Sequence, residues 1–328
     1  MIAITGGGTG GHLVIAKALK EEFNKRGIKP IFIGSTYGQD KAWFSDDDGW
    51  EEAYFFDTSG VVNKKGLKKI DSLFNIINYS FKTKNIFKKH NIKKVISVGG
   101  YSAAPASFGA ILFKKELFIH EQNAYMGKLN KLLKPFAKRV FNTFFYNDPY
   151  PVRDEFFDKA RIRNEIKTII FLGGSQGAKQ INDFAFKVAK TKKYKVIHQT
   201  GKLDYDRCKS FYEKNNLEVD YFAFDKNLID KIVKADFAVS RAGASTLFEL
   251  VSNQLPTLFI PYPYAAGNHQ YYNAKYLTDK GIGFLSNNPR IENLDVKIDI
   301  ISNKLKDINH RNGSKIIVDE ILKGKKWK

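Results

Sequence analysis

The chain has 328 residues, enough for two domains of ordinary size, and its 43% hydrophobic content excludes large-scale disorder. A single cysteine, Cys208, excludes a disulfide framework or a cysteine zinc cluster and fits a reducing compartment. The formal net charge of +20 fits nucleic acid, an anionic membrane surface or a compositional excess of lysine. Because no nucleic-acid-binding motif occurs, we favour the last two and expect no nucleic-acid partner.

The N-terminus enters a glycine run directly after residues 1–5 (MIAIT), with no basic residues ahead of an apolar stretch. This is not the pattern of a signal peptide. The longest largely apolar run, residues 103–113, is shorter than the roughly 20 residues that a spanning helix needs. We therefore expect neither export nor a membrane span.

The first half alternates short apolar strands with helical stretches. Residues 13–25 have helical spacing, with Ile15, Leu19 and Phe23 four apart. The predicted strands, each followed by a loop rich in glycine or polar residues, are residues 2–5, 30–34, 95–98 and 117–119. This alternation predicts a parallel sheet covered by helices on both faces.

The same alternation restarts after Arg161. Strands are predicted at residues 167–172, 195–197, 235–239 and 256–260, and the proline-containing stretch 147–163 is the predicted linker. The fold class is therefore α/β, with two doubly wound Rossmann-like domains. Ligands of open parallel sheets bind beyond the carboxyl ends of the strands, so two such domains facing each other would form a cleft lined by strand-end loops.

Residues 6–12 (GGGTGGH) follow the first strand and open the first helix. Glycines let a ligand approach the backbone, and a helix N-terminus favours an anion or a polar oxygen. A dinucleotide site would also need an acidic residue at the end of the second strand, which instead ends at Ser35. This absence disfavours a dehydrogenase.

Two further loops of the first half carry polar groups. Residues 97–102 (SVGGYS) form a second glycine loop at a strand end, which makes a pyrophosphate-sized pocket more plausible. Residues 120–123 (HEQN) follow another strand, and burying four such residues is costly unless they are hydrogen-bonded. They either contact a ligand or form a network that braces the loops.

The second half repeats this arrangement. Residues 173–178 (GGSQGA) offer backbone N–H groups and the Ser175 hydroxyl ahead of a helix, which suits a phosphate. Residues 240–246 (SRAGAST) lead into a helix whose Glu249 could accept hydrogen bonds from both hydroxyls of a ribose. Alternatively, Glu249 is a capping or surface carboxylate. Amides at residues 268–273 could reach sugar hydroxyls.

Together these motifs resemble those of the MurG family of bacterial N-acetylglucosaminyltransferases. The resemblance covers nearly the whole chain in order. It rests on residues 7–12 (GGTGGH), 99–102 (GGYS), 120–123 (HEQN), 173–178 (GGSQGA) and 240–244 (SRAGA), and on Gln270 with Asn273 and Ala274.

The resemblance implies a GT-B glycosyltransferase that needs no cofactor. The donor would be UDP-GlcNAc and the acceptor lipid I (undecaprenyl-pyrophosphoryl-MurNAc-pentapeptide). Inverting transfer would give the β-1,4 link of lipid II in peptidoglycan synthesis. The implied location is peripheral, on the cytoplasmic face of the inner membrane, with an anionic lipid surface and other cell-wall enzymes as partners. The alternatives are another UDP-sugar glycolipid transferase and a non-glycosyl nucleotide-binding Rossmann protein.

The resemblance also assigns domains and donor contacts. Residues 1–153 would form the acceptor and membrane-side domain, residues 154–307 the UDP-GlcNAc domain, and a helix at about 308–328 would pack back on the first. Ala244, Ser245 and Thr246 would place N–H groups near the pyrophosphate and sugar. The remaining donor contacts would be Thr9, Gly10 and Gly11 in the cleft, Asn123 and Gln270 on the sugar, Arg153, Ser175 on a phosphate, Glu249 on the ribose, and the backbone around Asp225 on uracil.

His12 is the candidate general base, because the acceptor hydroxyl must lose a proton as it attacks and imidazole has a suitable pKa. The alternative is a histidine that caps the helix or donates to the acceptor pyrophosphate. Two departures from the family pattern are Ser245, where leucine is common, and a loop at residues 261–270 that is one residue longer than in some relatives.

Residues 46–48 (DDD) could suggest a metal site. They lie in a polar stretch without a glycine loop or an apolar strand beside them, so we interpret them as a solvated loop and expect no metal. Helix N-termini and Arg153 would then neutralise the leaving diphosphate.

Residues 67–94 mix aromatic and aliphatic side chains with lysines, a composition that suits a helix at a lipid interface. The alternative is an amphipathic helix whose apolar face covers the sheet, and some of these residues must do so. The apolar members are Leu73, Phe74, Ile76, Ile77, Phe81, Ile86 and Phe87, and the lysines are Lys68, Lys69, Lys82, Lys84, Lys88 and Lys89.

Overall fold

A computed structural model describes residues 1–60, 66–225, 227–294, 296–309 and 311–323. The chain divides into two compact units, one comprising Met1–Pro151 and the chain from Gly313 on, the other Val152–Asn312. Each unit is built on one six-stranded sheet in which all paired strands are parallel. The predicted α/β class with two doubly wound sheets is confirmed.

The first unit has the sheet order β3-β2-β1-β4-β5-β6. Its strands are β1 (Ile2–Thr5), β2 (Ile31–Ser35), β3 (Glu52–Phe56), β4 (Lys94–Ser97), β5 (Glu116–His120) and β6 (Arg139–Phe141). Its helices before the second unit are α1 (Gly10–Asn24), α2 (Asp40–Phe44), α3 (Leu67–Lys89), α4 (Ala104–Leu112), α5 (Lys128–Leu133) and α6 (Thr143–Tyr146).

The second unit has the order β12-β11-β10-β7-β8-β9. Its strands are β7 (Thr168–Leu172), β8 (Lys195–Gln199), β9 (Asp220–Phe222), β10 (Phe237–Ser240), β11 (Thr257–Phe259) and β12 (Phe284–Leu285). Its helices are α7 (Asp154–Asp158), α8 (Lys179–Thr191), α9 (Tyr205–Lys214), α10 (Ile229–Ile232), α11 (Ala244–Ser252), α12 (His269–Thr278) and α13 (Asp299–Leu305). The chain then returns to the first unit as α14 (Gly313–Lys323).

Strand register brings the strand-end loops of each unit together. In the first unit, Thr5 at the end of β1 pairs with Ser97 at the end of β4, so the two glycine loops leave the sheet side by side. In the second unit, Leu172 of β7 pairs with Ser240 of β10 in the same way. The central strands are apolar and buried on both faces. A slip of one residue would move each side chain to the opposite face of the sheet and disrupt its packing against the helices, so the register is fixed.

Helix α14 packs on α1 within the first unit. Asp319 Oδ1 lies 2.7 Å from Arg26 Nη2, and the Gly313 N–H donates to the Tyr150 carbonyl at 3.0 Å. The sequence placed the domain boundaries at residues 153 and 307 and the helix at about 308–328. The two compact units divide after Pro151 and Asn312, and the assignment of the domains to acceptor and donor stays a prediction. Residues 310 and 324–328 of the predicted helix lie outside the described residues.

The stretch 147–163, predicted as a linker, is largely packed. Tyr150, Val152 and Phe156 are each at most 1% exposed, and α7 lies within the stretch. Arg163 is equally buried, and its guanidinium donates to Asn253 Oδ1 at 2.6 Å. Buried aromatic side chains and a hydrogen-bonded arginine therefore anchor the segment in which the chain passes from the first unit to the second.

The interpretation of residues 46–48 as a solvated loop is wrong for Asp47. Its carboxylate binds the ammonium group of Lys20, a residue only 6% exposed, with both oxygens 2.6 Å from Nζ. A buried lysine requires such a partner. Asp47 therefore has a structural role in joining the loop to α1.

The second unit buries a neutral histidine in its core. Tyr212 Oη lies 2.7 Å from His198 Nδ1, and Asn182 Oδ1 lies 2.9 Å from Nε2. Burial lowers the pKa of His198 to about 3. In the unfolded chain the pKa of this histidine is near 6.5. Below about pH 6.5 the unfolded state therefore binds a proton at His198, whereas the folded state does not.

We expect the free energy of unfolding to decrease as the pH falls from 7.5 to 5.0, with His198 contributing about 2 kcal/mol of that loss. His198→Gln should be less stable at pH 7.5 but should lose less stability on acidification. Urea unfolding at the two pH values measures both. An equal pH dependence in the variant and the wild type would contradict this role for His198.

Candidate active site

Two glycine loops interlock at the carboxyl end of the first sheet. The Gly7 N–H donates to the Gly99 carbonyl at 3.1 Å. A methyl group at Gly6 or at Gly100 would overlap the backbone of the opposite loop. Gly99 and Gly100 also have φ of +90° and +79°, a backbone region that side chains with a Cβ rarely adopt. Gly6 and Gly100 are therefore needed for the two loops to pack against each other.

His12 stands in the first turn of α1, above the second glycine loop. Its Nδ1 lies 3.0 Å from Thr9 Oγ1, and a methyl group at Gly99 would lie 3.2 Å from its Nε2. Thr9 is exposed, and Gly10, Gly11 and His12 are partly exposed. When Nδ1 donates to Thr9, Nε2 carries the lone pair that a general base needs.

His120 lies fully buried behind this surface. Its ring packs edge-on against Tyr150 with centroids 5.7 Å apart. Burial, together with the nearby charge of His12, lowers the pKa of His120 to about 3. His120 is therefore neutral at physiological pH and cannot supply a positive charge to a ligand.

Glu121 organises the loop that follows β5. Its carboxylate accepts the N–H of Asn123 at 3.0 Å, the N–H of Gly127 at 2.9 Å and the side-chain amide of Asn130 at 2.9 Å. Asn142 Nδ2 donates to the Asn123 carbonyl at 3.0 Å. Both backbone groups of Asn123 are thus held while its side chain stays partly exposed. For Glu121, the bracing network is the interpretation that these bonds support.

Asp40 belongs to the same site, although sequence reasoning missed it. Its carboxylate is completely buried and accepts the N–H groups of Gly8 and Ser35. Burial raises the pKa of this carboxyl, and the two backbone N–H groups oppose the rise. The available signal was an acidic residue shortly beyond the second strand.

In the second unit, the loop after β7 leads into the 13-residue helix α8. Gly174 and Gly177 have φ of +82° and +93°, and the Gly177 N–H donates to the Gly174 carbonyl at 3.1 Å. Ser175 is partly exposed, and its carbonyl accepts the Lys202 N–H at 3.0 Å. The loop is held from behind while Ser175 precedes a helix N-terminus, an arrangement that suits a phosphate.

Helix α11 begins directly after the loop that follows β10. Its N-cap, Gly243, has no side chain that could cap the helix. The first turn is formed by Ala244, Ser245 and Thr246. The first N–H groups of a helix have no acceptor within the helix, and the helix dipole favours an anion there.

Glu249 lies in the second turn of α11 and is partly exposed. Burial raises the pKa of its carboxyl to about 7, against the opposing effect of the Arg153 charge, while Glu155 contributes to the rise. Arg153 Nη1 itself lies 2.7 Å from Glu155 Oε1. The charge of Arg153 therefore acts on Glu249, while the guanidinium itself is paired with Glu155.

Two predicted donor contacts lie in loops held by hydrogen bonds. Gln270 is partly exposed at the start of α12, and its Oε1 accepts the Tyr262 N–H at 2.9 Å, which leaves the amide NH₂ as a donor. Asp225 follows β9 and accepts the Asn227 N–H at 2.8 Å. Arg241 supports the loop before α12 by donating to the Pro261 carbonyl at 3.0 Å.

Comparison with known proteins decides the family. Models of glycosyltransferase family 28 match residues 2–142 (N-terminal domain) and 168–320 (C-terminal domain). A relative from a Nitratiruptor species is 54% identical, with 98% of each chain covered. One from Campylobacter fetus subsp. fetus is 51% identical, covering 98% of this chain and 100% of the relative. Both are named UDP-N-acetylglucosamine--N-acetylmuramyl-(pentapeptide) pyrophosphoryl-undecaprenol N-acetylglucosamine transferase.

The chain belongs to the MurG family, within glycosyltransferase family 28. The crystal structure of Acinetobacter baumannii MurG is similar, with a TM-score of 0.77, 24% identity and coverage of 98% of this chain and 99% of that one. A UDP-glucose: anthocyanidin 3-O-glucosyltransferase in complex with UDP matches with a TM-score of 0.61 and 13% identity, over 98% and 92%. The predicted MurG family, GT-B fold and glycosyltransferase class are confirmed, and the residue assignments stay predictions.

Proposed function

We propose that this MurG-family enzyme transfers GlcNAc from UDP-GlcNAc to lipid I, with inversion, to give the β-1,4 link of lipid II. The observation that carries the proposal is the similarity, near 50% identity along 98% of the chain, to transferases named for this donor and acceptor. The alternatives, another glycolipid transferase or a non-glycosyl nucleotide-binding protein, do not account for that similarity.

The second unit offers groups that match a nucleoside diphosphate sugar. The N–H groups at the start of α11 and the loop at Ser175 suit the diphosphate, and Glu249 suits the ribose hydroxyls. Arg153 would offset the charge of the leaving diphosphate. Gln270 would donate to the sugar, and the backbone at Asp225 would bind uracil.

The first unit offers the acceptor side. His12 would take the proton from the attacking hydroxyl, with Thr9, Gly10 and Gly11 at the loop that presents it. Asn123 would contact the GlcNAc through its side chain, because its backbone groups are already bonded. Each of these roles follows from the family resemblance and from the exposure of the group.

The direct test is a transfer assay with UDP-GlcNAc and a lipid I analogue. We expect a disaccharide product with a β-1,4 link, and activity that survives EDTA. Within the described residues, no group of three or more His, Cys, Asp or Glu side chains could hold a metal ion. Transfer to a different glycolipid but not to the lipid I analogue would favour the first alternative.

Donor selectivity is a separate prediction. We expect UDP and UDP-GlcNAc to raise the melting temperature, while NADH and ATP do not, because a ligand that binds only the native state stabilises it. At a concentration 100 times its Kd, a ligand adds about 2.7 kcal/mol. Stabilisation by NADH without stabilisation by UDP would indicate a nucleotide-binding protein of another class.

We further propose that α3 carries the membrane-binding face of a peripheral enzyme. Its apolar residues divide into two sets: Ile76, Ile86 and Phe87 are buried, whereas another set is 45–68% exposed. The exposed set, spaced as one helical stripe, is Ile70, Leu73, Phe74, Ile77 and Phe81. None of the described helices is long and apolar enough to cross a bilayer.

The lysines of this helix should contribute electrostatic attraction. Lys82, Lys84, Lys88 and Lys89 are exposed, although Lys89 also pairs with Glu52 at 2.6 Å. Lys69 is exposed as well, whereas the side chain of Lys68 lies outside the described part of the structure. Near an anionic surface each basic residue is worth about 1 kcal/mol, and salt weakens this attraction.

We expect the protein to sediment with anionic vesicles more than with neutral ones, and less at high salt. Changing Lys82, Lys84, Lys88 and Lys89 to glutamine should weaken vesicle binding at least about tenfold and leave UDP affinity unchanged. The matched control removes four exposed lysines of α8 and α9 in the second unit: Lys187, Lys190, Lys209 and Lys214. Equal loss in both variants would show that only net charge matters, and α3 would not be the membrane face.

A further inference from the structure

The least expected group of the first unit is the carboxylate of Asp40. Asp40 has no solvent exposure, and among the described residues no Lys, Arg or His is a partner of its carboxylate. An isolated buried carboxylate is costly unless hydrogen bonds replace its hydration. The backbone N–H groups of Gly8 in the first glycine loop and of Ser35 at the end of β2 donate to it, the latter at 3.0 Å, and the Ser102 hydroxyl also acts on the carboxyl.

The Asp40 carboxylate occupies a backbone N–H group of the first glycine-rich loop. A glycine-rich turn between a strand and a helix presents N–H groups that usually bind phosphate. In this chain the Gly8 N–H binds a carboxylate of the same protein. The position is occupied before any substrate arrives, and the buried negative charge opposes a phosphate there.

Several glycines make room for this arrangement. A methyl group at Gly7 would overlap the Asp40 carboxylate, and one at Gly34 would lie 2.9 Å from its Oδ2. A methyl group at Gly8 would overlap the ring of Tyr101. Close contacts within the unit therefore account for the lack of a side chain at these glycines, and at Gly34 the nearest atom is Phe32 Cε1 at 2.5 Å.

The turn held by Asp40 leads directly to the candidate base. Thr9 follows Gly8, and its Oγ1 lies 3.0 Å from His12 Nδ1. A rotation at Gly8 would move both residues relative to the second glycine loop. Misplacement of a reacting group by about 1 Å can cost about 10²-fold in rate.

We propose that Asp40 is a positioning residue for the transfer reaction: its carboxylate takes the place of a bound anion at the first glycine loop and holds the turn that presents Thr9 and His12. The proposal rests on the proposed function for its activity readout. It requires that a small carboxylate be able to replace the missing side chain.

The test is chemical rescue of Asp40→Ala by formate. We expect kcat to fall roughly 10²-fold with UDP affinity within about twofold of wild type, and formate to restore at least about a tenth of the lost activity. Chloride at the same ionic strength should not restore it. The matched control is Asp47→Ala, which removes a carboxylate bound to Lys20; its kcat should be the same with and without formate, even if formate binds Lys20.

Wild-type kcat in a folded Asp40→Ala variant, or a loss that formate does not reverse, would overturn the proposal. If Asp40→Ala does not fold, Asp40→Asn is used, because it keeps the shape but can accept from only one of the two N–H groups. Full activity in Asp40→Asn would also overturn it. If the wild type itself makes no product, the proposed function fails. In that case the role of the carboxylate is still supported if formate raises the melting temperature of Asp40→Ala and not that of the wild type.

Discussion

His12→Ala should lower turnover by roughly 10²–10⁴-fold, the usual range for loss of a general base, with donor affinity little changed. The reason is geometric: the ring stands in the first unit with one nitrogen beside Thr9, whereas the proposed donor groups lie largely in the second unit. Steady-state kinetics with a lipid I analogue, together with UDP binding by calorimetry, separate the two effects.

The control for this prediction is Thr9→Val, which removes the hydroxyl beside Nδ1 and keeps the imidazole. We expect a smaller loss of turnover than in His12→Ala, because the base remains but its tautomer and orientation are less well set. Turnover within a few-fold of wild type in His12→Ala would assign His12 a structural role, such as capping α1.

Glu249→Ala should weaken UDP-GlcNAc binding by roughly 10- to 150-fold for each ribose hydrogen bond lost, since a bond to a charged acceptor is worth roughly 1.5–3 kcal/mol. The pH dependence is more diagnostic. With a pKa of about 7 in the free enzyme, only a minority of Glu249 is ionised at pH 6. Binding that requires the carboxylate should therefore strengthen about tenfold between pH 6 and pH 8.

UDP-GlcNAc is the right ligand for this measurement, because its diphosphate does not titrate in that range, unlike the terminal phosphate of UDP. Glu249→Gln should bind weakly at both pH values without the tenfold change. A pH dependence that persists in Glu249→Gln would have to arise from another group, and unchanged affinity in Glu249→Ala would remove Glu249 from the site.

The same pKa predicts that the stability of the fold decreases with rising pH, whereas donor binding strengthens. A carboxyl whose pKa rises from 4.5 to about 7 on folding stabilises the native state only while it is protonated, so its contribution is lost as the pH rises through 7. Glu249→Gln should therefore unfold at a higher temperature than wild type at pH 8. At pH 8 the partly buried, ionised Glu249 would therefore lower the stability of the wild type relative to Glu249→Gln.

Sequence reasoning predicted the central strands of both sheets because a buried parallel strand is a short continuous apolar run. It missed the edge strands β3, β6, β9 and β12. β3, for example, pairs on one side only and is nowhere fully buried, so its composition is mixed. Short edge strands of this kind depend on their neighbour more than on their own sequence.

The sequence predicted those parts of the candidate site that lie in contiguous motifs. It missed the residues whose role depends on contacts between distant parts of the chain. The glycine loops and the helix carrying Glu249 are local patterns. The contact of Asp40 with Gly8 joins residues 32 apart, and that of Asp47 with Lys20 joins residues 27 apart. The position of Asp40 shortly beyond the second strand marked it as a candidate, but the sequence does not indicate that the fold buries its carboxylate against the first glycine loop.

Helix α14 has a consequence for the order in which the protein folds on the ribosome. The second unit is one continuous segment, whereas the first needs α14, which follows that segment in the chain and packs on α1. Because domains generally fold as units from the N-terminal side during synthesis, the first unit emerges early yet must wait for its last helix. The N-terminal unit is thus the last to be completed, and its α1 surface stays uncovered throughout synthesis of the second.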